Sequence, residues 1–247
     1  MARKPPDRDV APTVQRLRLR YAKRGRLRFA SHRDFQRALE RALRRADIPM
    51  AYSAGFSPHP KVSYANSAPT GVASEAEYVE IGVAQACDPS AVRDALDAAL
   101  PPGLDVVEVV EARTPDFANR LEASVWQVEL PGVSPAQAQD AVARLLAADE
   151  VLVERLMKNG RRTFDARGPV IRAECAAATE PEADCAILTL VVRHGTPSVR
   201  PDDVLSALRR VADLVPPKPP RVTRLAQGPL DEVGVSVTDP FAPDRAG

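Results

Sequence analysis

The feature that most restricts the fold of this chain is an order of strand-like and helix-like segments that occurs twice. In residues 14–110, a strand pattern is followed by a helix pattern, two strands, a second helix and a last strand. Residues 124–227 repeat this order, with a strand at 151–157 ahead of strands near 170–176 and 186–193. Strands that follow one another with helices on one side favour an α+β fold. We therefore predict two tandem ferredoxin-like (βαββαβ) units with antiparallel sheets.

The repeat also predicts where the domains begin and end. Residues 13–112 form the predicted N-terminal domain, which is basic, and residues 122–228 form the C-terminal one. Both ends of the chain are rich in proline and charge, so residues 1–12 and 239–247 are predicted to be disordered tails.

The charge of the chain is concentrated at one end. Residues 1–61 contain 16 Lys and Arg against 5 Asp and Glu, which is a local charge of +11, although the whole chain carries only +1. No apolar run reaches the roughly 18–20 residues of a membrane span, and the polar start lacks the apolar stretch of a signal peptide. We therefore expect a soluble, cytoplasmic protein that does not bind a membrane.

The cysteines do not suggest a metal or redox site. Cys87, Cys175 and Cys185 are odd in number and widely spaced, which fits neither a disulfide framework nor a metal knuckle. The sequence has no G-x-G-x-x-G and no Walker A loop. We expect no metal and no cofactor.

The first predicted helix carries a stripe of arginines. Ser31 is an N-cap candidate with Asp34 three residues later, and the apolar residues that follow have helical spacing. The basic residues outside this apolar face, together with two that precede the helix, are Arg26, Arg28, Arg33, Arg37, Arg41, Arg44 and Arg45. Such stripes are typical of phosphate-backbone binding. The alternative is pairing with acids of the same chain, such as Glu75, Glu77 and Glu80, or with a partner protein.

Two histidines accompany this stripe. Ser31, His32 and Arg33 stand at the predicted helix start, where free amides attract anions, although a plain N-cap is the alternative. His59 lies between two prolines in Gly55–Lys61, a loop that stiffens the backbone around it. His59 and Lys61 are therefore phosphate-binding candidates. His32 and His59 are also candidates for an acid–base pair in RNA cleavage.

Three stretches together resemble a known family. The strings Gly25–Asp34 and Tyr52–Pro60, with the arginine-rich helix between them, resemble the radical-SAM-linked domain of unknown function, and the likeness covers about residues 14–228. That domain follows radical-SAM and cobalamin-binding modules in many bacterial proteins. Stand-alone members tend to lie beside genes for an RNase E/G-type ribonuclease and ribosomal proteins.

The resemblance implies work linked to RNA and a separate radical-SAM protein or ribonuclease as partner. This chain lacks a C-x-x-x-C-x-x-C motif, so radical chemistry would belong to another polypeptide. The tandem pattern is also similar to the CRISPR repeat-processing endoribonucleases, but their glycine-rich C-terminal loop has no clear counterpart here.

The function that we expect is RNA or phosphate-backbone binding by an accessory module that is not catalytic alone and is linked to RNA modification or processing. The first alternative is an RNA-processing enzyme that uses His32 and His59. The second is a protein-interaction adaptor with a basic docking face.

Overall fold

The computed structural model describes residues 11–54, 56–157, 160–178, 185–231 and 233–245. The chain divides into two compact units. The first contains the residues up to Ala118 together with those from Phe241 onward, and the second is Asn119–Pro240. Both units mix helices with an antiparallel sheet, and the described part of the chain contains six α-helices.

The first unit begins with alternating strands and helices. In order these are β1 (Gln15–Lys23), a 3₁₀ turn (Gly25–Phe29), α1 (His32–Arg45), β2 (Val62–Ala65), β3 (Ala73–Val83), α2 (Pro89–Ala99) and β4 (Leu104–Glu111). The strands are arranged β2-β3-β1-β4, and every pair is antiparallel. In this order β1 is an interior strand, with β3 on one side and β4 on the other.

The alternation of β1 separates its apolar and basic side chains. Leu17, Leu19 and Tyr21 are buried in a core that includes Leu39 of α1, and the Tyr21 ring stacks on Phe35 with 4.0 Å between centroids. Because successive side chains of a strand point to opposite faces, the arginines at positions 16, 18 and 20 lie on the face away from α1. The sheet therefore keeps the basic side chains of β1 apart from those of the helix.

The second unit repeats the general order with an added hairpin. After α3 (Phe117–Arg120), its elements are β5 (Ala123–Pro131), α4 (Pro135–Ala147), β6 (Leu152–Met157), β7 (Gly160–Asp165), β8 (Val170–Ala177), β9 (Cys185–Arg193), α5 (Pro201–Ala212) and β10 (Arg221–Gly228). The main sheet has the antiparallel order β10-β5-β9-β8. In the described residues, β6 and β7 pair with each other as a separate two-stranded sheet.

This hairpin differs from the sequence prediction. Residues 151–157 were expected to be a strand of the repeat, whereas β8 occupies the edge beside β9 and β6 pairs with β7 instead. The reason is their polarity, since most side chains of β6 and β7 are exposed and cannot be buried against a helix layer. Residues 158 and 159, between the two strands, lie outside the described residues.

The C-terminal stretch also differs from its prediction. Residues 239–247 were expected to be a disordered tail, but Ala242–Arg245 forms a short helix, α6, and the preceding Phe241 is buried. The Phe241 ring contacts the rings of Tyr78 and Phe117 at 5.2 and 5.5 Å. Aromatic burial of this kind is favourable by a few kcal/mol, and the ion pair between Asp244 and Arg18 also holds this segment in place. At the other end, residues 1–10 of the predicted tail lie outside the described residues.

No helix among the described residues is both long enough and apolar enough to cross a membrane.

Candidate phosphate-binding surface

The outer face of α1 is a row of exposed guanidinium groups. Phe35, Leu39 and Leu43 bury the inner face of this 14-residue helix, which leaves the arginines directed to solvent. Arg33, Arg37 and Arg41 follow at one-turn spacing, about 6 Å apart along the axis, and Arg44 extends the row. Among the described residues none of these four arginines has an ion-pair or hydrogen-bond partner. We call Arg33, Arg37, Arg41 and Arg44 the α1 arginine row.

Arg45, at the end of the same helix, has a different role. Its Nη1 donates a hydrogen bond to the carbonyl oxygen of Ala99 at 3.1 Å, in the last turn of α2. A cation at a helix C-terminus interacts favourably with the carbonyl end of the helix dipole. Arg45 was a phosphate-binding candidate, and the structure shows it connecting α1 to α2.

The arginines of β1 are paired with acids of the same unit. Arg16 and Arg18 contact Glu80 at 3.4 and 3.0 Å, and Arg20 contacts Glu108 at 3.5 Å. Arg24 pairs with Glu75 and, at 2.8 Å, with Asp105. Intramolecular ion pairs therefore account for the strand arginines, but not for the α1 arginine row.

The 3₁₀ turn before α1 adds an aromatic ring beside two more cations. Phe29 is 59% exposed, and the Arg28 guanidinium lies over its ring, 4.7 Å from the centroid. The Nε atom of Arg28 is buried and has no hydrogen-bond partner among the described residues. Arg26 is exposed and also has no described partner. Both arginines were candidates from the sequence, whereas the exposed Phe29 ring was not singled out.

The start of α1 is a complete capping box. The backbone N–H of Asp34 donates to Ser31 Oγ at 3.2 Å, and the Asp34 carboxylate accepts from the Ser31 amide at 3.1 Å and from the Ser31 hydroxyl at 2.6 Å. The hydroxyl bond is the largest cause that lowers the pKa of Asp34, and the amide of Ser31 and the nearby Arg37 and Arg33 add to it. An internal carboxylate therefore occupies the position that the sequence proposed for an anion.

His32 is held by three neighbours. Its Nε2 lies 3.1 Å from the Gln36 amide nitrogen, its Nδ1 lies 3.2 Å from Ser67 Oγ, and its ring meets Tyr64 edge-on at 4.8 Å. An amide nitrogen only donates, so Nε2 accepts and the imidazole proton resides on Nδ1. Burial and the nearby Glu40 raise the pKa of Tyr64 to about 12, which keeps this ring neutral. None of these partners, all missed by the sequence analysis, is a carboxylate.

His59 lines a cavity of about 270 Å³ on a different part of the unit. Arg16 and Glu80, from the face of the sheet opposite α1, share this cavity with His59, Lys61 and Gly82, and His32 is not among its lining residues. The two histidines thus have separate surroundings, although the sequence offered them as an acid–base pair. Gly55 of the same loop lies outside the described residues.

A second cavity of the first unit, of about 590 Å³, shares Arg16, Ser63 and Glu80 with the first. It extends towards Thr114 and Phe117. No sequence pattern predicts this cavity, because its walls come from segments that are far apart in the chain.

A metal centre finds no support in the described part of the chain, where no three His, Cys, Asp or Glu side chains are grouped to hold an ion. Burial raises the pKa of the thiols of Cys87 and Cys175. Both cysteines are therefore less reactive than a free thiol.

The sequence matches a model of a protein family. Residues 16–201 match the family model described as "Uncharacterized protein conserved in bacteria (DUF2344)". No curated protein matches the chain.

Proposed function

The chain belongs to the DUF2344 family of proteins conserved in bacteria, and we propose that it is an RNA-binding accessory module that contacts phosphate groups through α1. The observation that carries this proposal is the contrast between two sets of arginines in one unit. The arginines of β1 are neutralised by Glu80, Glu108 and Asp244, whereas no arginine of the α1 arginine row forms an ion pair with a described residue.

The α1 arginine row destabilises its own helix, and a bound polyanion removes this destabilisation. Like charges at i,i+4 destabilise a helix by a few tenths of a kcal/mol per pair, and Arg33–Arg37 and Arg37–Arg41 are two such pairs. Phosphates placed along the helix turn this repulsion into attraction, and they release counterions from the nucleic acid. The basic 3₁₀ turn, with Arg26 and Arg28, continues the surface beyond the start of the helix.

The accessory role is supported by the surroundings of the histidines. The described contacts of His32 are to Gln36, Ser67 and Tyr64, and the described hydrogen bonds of His59 are made by its backbone. Neither imidazole therefore has the carboxylate that commonly orients a catalytic histidine. The geometry favours binding over cleavage.

Two finer features belong to the same proposal. The strand orders β2-β3-β1-β4 and β8-β9-β5-β10 support a ferredoxin-like topology in each unit. The resemblance to radical-SAM-linked domains supports a separate radical-SAM protein or ribonuclease as the partner that acts on the bound RNA.

The test measures binding of fluorescein-labelled single-stranded RNA by anisotropy at several salt concentrations. For four phosphates contacted by the α1 arginine row, log Kd changes with log salt concentration by a slope of about 3, since each single-strand contact contributes roughly 0.7. The variant Arg37→Glu/Arg41→Glu is expected to weaken binding at least about tenfold and to lower the slope by about 1.4.

The matched control reverses two other exposed helical arginines. Arg209 and Arg210 lie in the last turn of α5 in the second unit, so Arg209→Glu/Arg210→Glu makes the same change in net charge. Equal weakening by both double variants would show that only net charge matters, and unchanged binding by the α1 variant would refute the proposal. A partner captured from lysate that survives ribonuclease treatment would instead identify the basic face as a protein-docking surface.

A further inference from the structure

The cavity beside His59 combines three basic side chains with one acid that is already engaged. Arg16, His59 and Lys61 line it together with Glu80. The Glu80 carboxylate contacts Arg18 at 3.0 Å and Arg16 at 3.4 Å, so its charge is shared between two guanidinium groups. The cavity consequently has an excess of positive charge in the absence of a ligand.

Each of the three basic groups retains capacity to donate. Lys61 Nζ donates one hydrogen bond, to Thr13 Oγ1 at 2.8 Å, and an ammonium has three protons. Arg16 contacts Glu80 through Nη1 alone, which leaves other guanidinium protons available. The His59 imidazole makes no hydrogen bond with a described residue.

The backbone on both sides of His59 is fixed. Ser53 N donates to the carbonyl oxygen of His59 at 2.9 Å, and His59 N donates to Ser53 Oγ at 3.1 Å. Tyr52 and Pro60 form a β-bridge, and Lys61 N donates to Ala51 O at 2.8 Å. These hydrogen bonds join the two ends of the loop, so the backbone of His59 and Lys61 is in place before a ligand binds. Less entropy is therefore lost when a ligand binds.

Gly82 keeps the space beside Lys61 open. A Cβ at this position would lie 3.1 Å from the methyl carbon of Thr13 and 3.3 Å from Cβ of Lys61. Gly82 is a strand residue opposite Arg16, and glycine inside a strand often marks a close approach of another group. Its missing side chain lets Thr13 and Lys61 meet over the sheet.

From these contacts we infer that the cavity binds a phosphate monoester group. A monoester carries about −1.5 to −2 charges at neutral pH and three acceptor oxygens, which match three convergent basic side chains better than the single charge of a diester does. A volume of about 270 Å³ is below the roughly 300–1,000 Å³ of sites that enclose a whole small molecule. It suits a terminal phosphate whose remaining atoms extend into solvent.

If the bound monoester is the terminal phosphate of an RNA strand, the cavity adds to the proposed RNA binding and rests on that proposal. A free nucleotide or inorganic phosphate offers the same chemistry. The experiment separates these sources by comparing one RNA sequence with a 5′-phosphate, a 3′-phosphate or two hydroxyl ends. A parallel titration follows the backbone amide NMR signals of the protein with inorganic phosphate and with a nucleoside monophosphate.

We expect one phosphorylated end to bind about tenfold more tightly than the hydroxyl-ended RNA, the ratio given by one charge-assisted hydrogen bond. Lys61→Gln is expected to remove this preference by removing a charge, and Gly82→Ala by crowding Thr13 and Lys61. Lys218→Gln, an exposed lysine of the second unit, is the matched control and should preserve it. Arg37→Glu/Arg41→Glu should weaken all three RNAs alike.

The outcomes distinguish the cavity from the helix surface. Equal binding of the three RNAs, without amide shifts at Ser53, Lys61 or Gly82 on adding phosphate, would overturn the cavity and leave the role of α1 intact. A preference that survives in both Lys61→Gln and Gly82→Ala would also overturn it. Amide shifts with free phosphate in a protein that binds no RNA would support the cavity and refute the RNA-binding function.

Discussion

Arg18 and Asp244 form a buried ion pair although 226 residues separate them in the chain, with 2.5 Å between Nη1 and Oδ2. The same carboxylate accepts hydrogen bonds from the backbone amides of Arg113 and Thr114 at 3.1 and 3.0 Å. One acid near the C-terminus thus neutralises the central arginine of β1 and fixes the segment after β4. This pairing gives Arg18 a structural role in the first unit.

The first prediction concerns the stability of this pair. Asp244→Asn removes one of the two carboxylates that pair with Arg18 and leaves Glu80 as the other, so the loss of this charge-assisted hydrogen bond costs about 1.5–3 kcal/mol. Urea unfolding should show this loss in the free energy of unfolding. The control Asp94→Asn removes an exposed pair with Arg93 and should cost less than about 1 kcal/mol. Equal effects of the two variants would contradict the structural role of Asp244.

The same pair predicts a dependence of stability on pH. Burial alone would raise the pKa of Asp244, but hydrogen bonds from Thr114 and Arg18 outweigh it, and the pKa lies below its ordinary value of 3.8. A lowered pKa stabilises the folded state above pH 3.8, and this contribution is lost as the pH falls through the folded pKa. The difference in unfolding free energy between wild type and Asp244→Asn should therefore shrink in acid.

Local sequence patterns predicted the helices and strands better than they predicted which side chains pair in the folded protein. Ser31 and Asp34 predicted the start of α1. Glu80 and Glu75 were offered as acids that pair with the basic segment, and they do pair with Arg16, Arg18 and Arg24. Glu108 and Asp244 were not foreseen, because they reach β1 through strand pairing and the return of the chain. For the same reason the sequence did not separate the paired arginines of β1 from the α1 arginine row.

The cavity beside His59 also depends on contacts that local sequence patterns do not predict. His59 and Lys61 were identified from the proline-flanked loop, but Arg16 and Gly82 joined them only through the register of β1 and β3. Gly82 did carry a local signal, since a glycine within a strand pattern suggests close approach of another group. The neighbours of His32 include Ser67, which is 35 residues away in the chain and has no pattern that points to it.

The second prediction compares the two capping boxes. Ser31→Ala removes the box that begins α1, and Ser134→Ala removes the equivalent box with Gln137 at the start of α4. Each should cost about 1 kcal/mol of unfolding free energy. Ser31→Ala should change RNA affinity less than twofold, because its hydroxyl is engaged by Asp34. A tenfold loss of RNA affinity without a loss of stability would instead make Ser31 a direct phosphate ligand.

The stabilisation that each capping box provides should depend differently on pH. The pKa of Asp34 lies below 3.8, mainly through the Ser31 hydroxyl, so the box at α1 stabilises the protein above pH 3.8 and weakens as the pH falls through the folded pKa. Gln137 does not titrate. Unfolding measured between pH 2 and 7 should show that the effect of Ser31→Ala declines in acid, while that of Ser134→Ala does so less.

The third prediction is the tautomer of His32. Because the Gln36 amide donates to Nε2, the neutral ring should carry its proton on Nδ1 and donate it to Ser67 Oγ. Long-range ¹H–¹⁵N NMR spectra of the imidazole distinguish the two tautomers directly. Gln36→Leu should allow the Nε2 tautomer to appear, whereas Ser53→Ala, which alters the loop of His59, should leave the His32 spectrum unchanged. A dominant Nε2–H form in wild type would contradict the arrangement.

The fourth prediction rests on the proposed RNA binding and concerns Phe29. The ring is 59% exposed and is supported by the Arg28 guanidinium, which suits it to stack on an unpaired base, an interaction worth about 1–3 kcal/mol. Phe29→Leu should therefore weaken single-stranded RNA at least about fivefold while the salt dependence stays unchanged, because no cation is lost. Double-stranded RNA of equal length is the control, since its bases are already stacked and paired. Quenching of the fluorescence of a 2-aminopurine base on binding would report the stacking directly. If Phe29→Leu weakened binding of single-stranded and double-stranded RNA equally, Phe29 would support the fold of the 3₁₀ turn instead.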